Sequence, residues 1–302
     1  MPSTLIHLGV QGFTSRALVR DIDLRLVYLA CVIPDIPWIL QRLINAMPLA
    51  VDRGELMLWS GVQSSLLFCL VFVAALALLM QRSAVAFAVL GSGCLFHLLL
   101  DITQIKWGRG AFFLAPATWQ PISLDWLWPE HPLFYLLAFA SLAFVMFTWR
   151  SIARHPLLFR PFSPPRLALA GLLVVFYAFS PGLMTGHLLA EDVYFSKTLA
   201  ERETRAGKAI AFDRSRLLVD QQGKPLVEMF TGEIVQLEGV AELGGALISA
   251  KGTFTTAATI AVDHYHLHPP YTRITGSLVG LLLVCFAVGL GFAAAAGKPG
   301  QR

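Results

Sequence analysis

Long apolar runs separated by short polar breaks organise most of the chain. Apolar stretches at about 62–80, 84–100, 132–149, 167–189 and 274–296 are each long enough to cross the hydrocarbon core of a bilayer. Ahead of them, residues 4–20 predict a short helix that dips into the bilayer, and 24–33 predict a second apolar helix. That helix is stopped by Pro34-Asp35-Ile36-Pro37, since each proline disfavours helix for the residue before it. Asp35 is therefore expected in a stiff non-helical turn, followed by another short helix at 38–47.

Between 191 and 272 the pattern changes. A polar, helical start (EDVYFSKTLAERETRAGKAI) leads into the β-type runs AIAF, RLLVD, PLVEMF, EIVQLEGV, ALISAKGTF and ATIAVDHYHLH. Gln-Gly-Lys, Thr-Gly-Glu and Gly-Gly punctuate them as turns. About five strands suggest a small antiparallel barrel or sandwich, with an OB-like barrel the first choice. The expected fold class is an α-helical polytopic membrane protein of about six spans, with short re-entrant or broken helices and a small extracytoplasmic antiparallel β (OB-like) domain. The divisions are a membrane-embedded domain at 1–160, a transmembrane helix at 161–190, the β domain at 191–272, and a C-terminal transmembrane helix and cytoplasmic tail at 273–302.

Composition supports this class: 56% of the 302 residues are hydrophobic and only 14% are charged, far too few charges for a soluble domain. The net charge of +4 comes from short loops, which bears on topology rather than on nucleic-acid binding, and no nucleic-acid partner is expected. Arg150, Arg154, Arg160 and Arg166 mark one loop as cytoplasmic, and counting spans outward places Arg82, Lys298 and Arg302 on the same side. The 45–61 connection, the loop at 102–131 and all of 191–272 then fall outside. The expected location is the cytoplasmic (inner) membrane, multi-pass, with membrane lipid as the surroundings. No cleaved signal peptide is expected, because no basic residue precedes Arg16 and no cleavage site follows an apolar core. Cys31, Cys69, Cys94 and Cys285 are isolated and read as small hydrophobes. Trp107, Trp119, Trp126 and Trp128 suggest that the 102–131 loop rests on the membrane surface. Gly276-x-x-x-Gly280 allows a close helix approach.

Against this apolar background, His97-Leu-Leu-Leu-Asp101 stands out: two ionisable side chains one turn apart on one helix face. An ionisable group at mid-bilayer costs roughly 2.5–3.5 kcal/mol, which makes it a functional candidate. Imidazole and carboxylate together suit a zinc-like divalent metal. The alternative is that Asp101 ends the helix at the interface while His97 hydrogen-bonds a neighbouring helix. Topology also brings His7 and Asp35 to the outer face, so His7, Asp35, His97 and Asp101 could converge as ligands. Gln63 and Ser64 start a span on that side and could hydrogen-bond a bound water or a ligating carboxylate. His264, His266 and His268 alternate along one strand face, a weaker alternative metal site against the reading of a solvated face. His131 and His187 read as interfacial hydrogen-bonders.

A histidine in the first helix, Pro34-Asp35-Ile36-Pro37, and His97-Leu-Leu-Leu-Asp101 followed by Thr103, Gly108 and Pro116 resemble the YdjM-type inner-membrane metal-dependent hydrolases over roughly residues 4–150. The order of ligands in that family is similar to that of zinc-dependent phospholipase C. The resemblance implies a membrane-embedded hydrolase domain at 1–160 that uses a divalent metal, zinc first, on a phosphoester or lipid-linked substrate. It assigns Asp35, His97 and Asp101 to catalysis and adds His7 as a metal ligand. Where the family has an RGxTHS segment, this chain has Ser60-Gly61-Val62-Gln63-Ser64-Ser65, with Ser64 at the histidine position. That departure keeps a second reading open: a catalytically impaired membrane scaffold whose extracytoplasmic β domain recruits a protein partner. A transporter is a weaker third, since spans are few and no internal repeat is visible.

Overall fold

The structure is a computed structural model that describes residues 3–152, 163–241, 247–269 and 272–296. The arginine-rich connection beyond Ile152 and the tail with Lys298 and Arg302 lie outside the described residues, apart from Arg166. Helices α1 (Thr4–Leu18), α2 (Leu24–Ala30) and α3 (Ile36–Ala46) come first. They are followed by α4 (Arg53–Gln63), α5 (Leu66–Leu78), α6 (Ser83–Asp101) and α7 (Pro132–Ile152). Next come α8 (Pro164–Phe179), α9 (Thr185–Ala190) and the short α10 (Ser196–Ala200), and α11 (Thr272–Ala296) closes the chain.

Among the described residues, four stretches are long and apolar enough to cross a membrane: Leu24–Ala46, Ser83–Asp101, Pro132–Trp149 and Pro164–Ala190. A fifth results if α4 and α5, bent by 66° at Ser64-Ser65, count as one broken span. Helix α11 adds a shorter apolar stretch, Ile274–Leu290. Large apolar side chains such as Phe139, Phe147, Leu172 and Leu183 stand exposed on the helices, as a lipid-facing surface requires.

Two local expectations are corrected. The segment Pro34–Pro37 does not end a helix. Ile33–Asp35 is one 3-10 turn joining α2 to α3, and Asp35 is helical at φ −86°, ψ −18°. Both prolines sit in first turns, where the missing N–H has no helical acceptor to lose. The 102–131 loop also packs three of its four tryptophans against protein, where exposure on a membrane surface was expected. Trp119 is buried edge-on against Phe112. Trp128 stacks on His266 at 4.0 Å, and Trp107 packs edge-on to Trp128 beneath the Lys251 ammonium. Only Trp126 of the four is fully exposed.

The β domain comprises β1 (Ala209–Val219), β2 (Pro225–Glu228), β3 (Ile234–Glu238), β4 (Leu247–Thr256) and β5 (Thr259–His268). They form a closed barrel in the order β1-β2-β3-β5-β4, around Ile210, Phe212, Val227, Leu237, Ile248 and Phe254. The pairing is not all antiparallel as expected: β3 runs parallel to β5. A closed ring with an odd number of strands cannot alternate direction all the way round, so one seam must be parallel. The runs AIAF and RLLVD are one strand, β1, interrupted by a bulge between Phe212 and Ser215.

Candidate metal centre

Close packing brings four segments together at the barrel-side end of α6. Helix α1 lies against α7 and α11, and a side chain at Gly280 would strike the backbone of Thr4 and Leu5. This seats the start of α1 and places His7 inside. Helix α2 packs on α6 at Gly93, where an added Cβ would collide with Ala30. One turn further along α6, His97 meets the end of α2 and Asp35 in the turn beyond it.

His7 and His97 stack with centroids 3.9 Å apart and rings 4° from parallel, both fully buried. His7 Nε2 lies 3.5 Å from Asp101 Oδ1. His97 Nε2 lies 3.6 Å from Asp35 Oδ1 and 4.0 Å from Asp101 Oδ2. The Nε2 atoms of both histidines and one oxygen each of Asp35 and Asp101 are buried without a hydrogen bond among the described residues. His7, His97 and Asp101 offer ligand atoms within 4.8 Å of one another, close enough that they could hold a metal ion, and Asp35 borders the group.

The tautomers suit ligation. His97 Nδ1 donates to the Cys31 carbonyl at 2.8 Å, so the neutral ring presents an Nε2 lone pair to the cluster. The buried Gln11 amide lies 3.4 Å from His7 Nδ1, and its oxygen has no partner among the described residues. Turned end for end, that amide would accept from Nδ1–H and give His7 the same tautomer. Lys106 Nζ holds the other face of Asp101, 3.2 Å from Oδ2.

Of the other anticipated residues, Ser64 hydrogen-bonds the Gly61 carbonyl and lines a cavity beside Asp101. Gln63 donates instead to the Tyr177 carbonyl on α8, away from the cluster. The strand histidines divide. His264 is exposed and belongs to no cluster, while His266 and His268 meet Glu130 from the tryptophan loop. His268 Nδ1 is 2.8 Å from Glu130 Oε1, and its Nε2 is 2.7 Å from Ser249 Oγ. Ser249 Oγ is also 2.8 Å from Asp213 Oδ1. Both nitrogens of His268 are engaged, so this group reads as a clasp between loop and barrel. Burial would raise the Glu130 carboxyl, but the hydrogen bond from His268 and its charge draw it below its ordinary value.

The residues absent from the sequence reading are Gln11, Lys106, Arg109, Asp213, Arg214, Glu130 and Ser249. One signal was available: Asp213-Arg214 breaks the alternation between two apolar runs, as a bulge does. The loop contacts of Glu130 and Arg109 carry no such mark.

Comparison with protein-family models, with curated proteins and with solved structures finds no match for this chain.

Proposed function

We propose that this protein is a membrane-embedded, metal-dependent hydrolase acting on a phosphoester at the outer face of the inner membrane. One observation carries the reading. Buried atoms of His7, His97 and Asp101 lie within 4.8 Å of one another without hydrogen bonds, and the likewise unpaired Asp35 Oδ1 lies 3.6 Å from His97 Nε2. An orphaned buried polar group costs about 1–3 kcal/mol, and a cation gathering His7, His97 and Asp101 would remove that cost for three of them. Two imidazole nitrogens with carboxylate oxygens are the donor set of zinc. When bound, such an ion lowers the pKa of a water to about 7 and polarises a phosphoryl oxygen.

The chain's own residues supply the rest. The Cys31 carbonyl orients His97, Lys106 fixes the outer oxygen of Asp101, and Asp35 stands beside His97 to accept a proton from an attacking water. Ser64 leaves the cavity wall open where a bulkier imidazole would stand. The scaffold reading draws on that same serine and on the barrel.

Metal analysis of detergent-solubilised protein separates the two. About one zinc-like ion per chain is expected, lost in His97→Ala/Asp101→Asn together with hydrolysis of p-nitrophenyl phosphate. Metal-free wild-type protein of ordinary stability would decide for the scaffold.

A further inference from the structure

The cavity beside the cluster, about 110 Å³, has Asp101 and Ser64 on one wall. Arg42, Lys106, Arg109 and Asp213 are its other charged lining residues. Its acidic groups already have partners. Asp101 faces Lys106 and His7, and Asp213 accepts from Ser249 with Arg214 Nε 4.0 Å away. The cations do not. The guanidiniums of Arg42 and Arg109 make no hydrogen bond or ion pair among the described residues, with Asp35 the nearest counter-charge acting on Arg42 and Asp213 on Arg109. Arg214, one-tenth exposed, has three buried nitrogens without a hydrogen bond. Arg214 stands behind Asp213 on the β1 bulge, at φ 49°, a backbone conformation that non-glycine residues rarely adopt. Tyr194, on the cavity wall, and its neighbours Asp192 and Phe195 are also left-handed, at φ 59°, 54° and 60°. Such strain gathers at functional sites. Burial draws the Arg109 guanidinium below its ordinary value, and nearby Arg214 adds to this while Asp213 opposes it.

Guanidiniums gathered with fewer carboxylates than cations repel one another, and an oxyanion placed between them reduces the repulsion. Arginine's planar fork matches phosphate oxygens two at a time. With Arg214 included, four cations face the three carboxylates of Asp35, Asp101 and Asp213, before any divalent metal is counted. That single net positive charge favours an anionic guest, and the guanidinium forks of Arg42 and Arg109 suit one with several oxygens. Arg109 and Tyr194 also border an open groove of about 620 Å³ flanked by Trp119 and Phe195, room for the organic part of an ester.

We propose that this cavity is a cradle for the dianionic phosphate of a monoester, gripped by Arg42, Lys106 and Arg109 and backed by Arg214. The inference rests on the hydrolase reading for its purpose, though not for its test. Full-length protein in detergent, stripped of metal with chelator, is titrated calorimetrically with inorganic phosphate and then with short-chain phosphatidic acid. Phosphate should bind without metal, and Arg109→Gln should weaken it at least tenfold while leaving the zinc content of reloaded protein unchanged. Arg42→Gln, on the more exposed face of α3, repeats the test should Arg109→Gln fold poorly. Phosphatidic acid outcompeting phosphate would identify a lipid monoester as the source. Competition only by glycerol phosphate would identify a soluble one. Equal affinity in wild type and both variants overturns the cradle, as does binding abolished by His97→Ala alone. Phosphate binding by protein that takes up no metal would sink the hydrolase and spare the cradle.

Discussion

Removing the Glu130 carboxylate should release the tryptophan loop from the barrel. Glu130 accepts from His268 Nδ1 at 2.8 Å and approaches His266 Nε2 at 3.4 Å. The His268 side chain is 1% exposed and that of Glu130 20%, so water replaces little of what Glu130→Ala removes. A hydrogen bond involving a charged group is worth about 1.5–3 kcal/mol, and a middle value of about 2 kcal/mol is roughly thirtyfold in the opening equilibrium of the docked loop. Hydrogen exchange should rise by that factor at amides of 104–128 and of β5, with the helical core unaffected. Acid should act in the same direction. His266 is lowered from 6.5, chiefly by burial and by neighbouring His268, and Glu130 is lowered from 4.5. The opened state therefore binds more protons just below each of those values, and docking is at full strength above 6.5. As pH falls it weakens, first through His266 and then, below 4.5, through Glu130. Exchange that is identical in wild type and Glu130→Ala from pH 7 to 5 would refute the clasp.

Two further substitutions probe the scaffold. Gly93→Val should force α2 away from α6 against Ala30, at about 1–3 kcal/mol, and break the His97–Cys31 hydrogen bond. A lower melting temperature together with reduced zinc content would show both effects, and unchanged zinc content would count against α2 as the support of His97. In the barrel, Arg205 is fully buried and paired with Glu233 through both guanidinium NH groups. Glu233→Gln should cost about 3–5 kcal/mol by leaving that cation without its counter-charge, read as loss of barrel protection in hydrogen exchange.

The sequence made the helical body, the barrel and the metal candidates legible because each rests on a local pattern. His97 and Asp101 are one turn apart on a single helix, and apolar length marks a span regardless of its neighbours. His7 and Asp35 could be gathered only by an argument from topology, and Asp35 was then given the wrong backbone, since prolines in the first turns of two joined helices look the same as prolines that end one. The tryptophans were misplaced for a related reason. An indole suits a lipid headgroup and a protein face equally well, and only tertiary structure shows that His266 lies under Trp128. The alternation of His264, His266 and His268 placed them together on one solvated face, but only His266 and His268 group, and their partner Glu130 comes from more than a hundred residues away.

The same geometry bears on where one unit ends and the next begins. Composition divides the chain at 191, between apolar helices and a polar β domain, yet the chemistry runs across that line. The β1 bulge points Asp213 into a cavity whose other wall is Asp101, at the end of α6. Lys106 and Arg109 come from the loop that the barrel clasps through Glu130, so the barrel governs where those cations stand. Helices alone could assemble the metal ligands, because His7, Asp35, His97 and Asp101 all precede the loop. Only the docked barrel supplies the bulge with Asp213 and Arg214 and encloses Arg109 beside it. A barrel that merely recruited a partner would have no reason to bury Arg214 at this seam with three nitrogens lacking hydrogen bonds among the described residues, and one that completes a substrate site would.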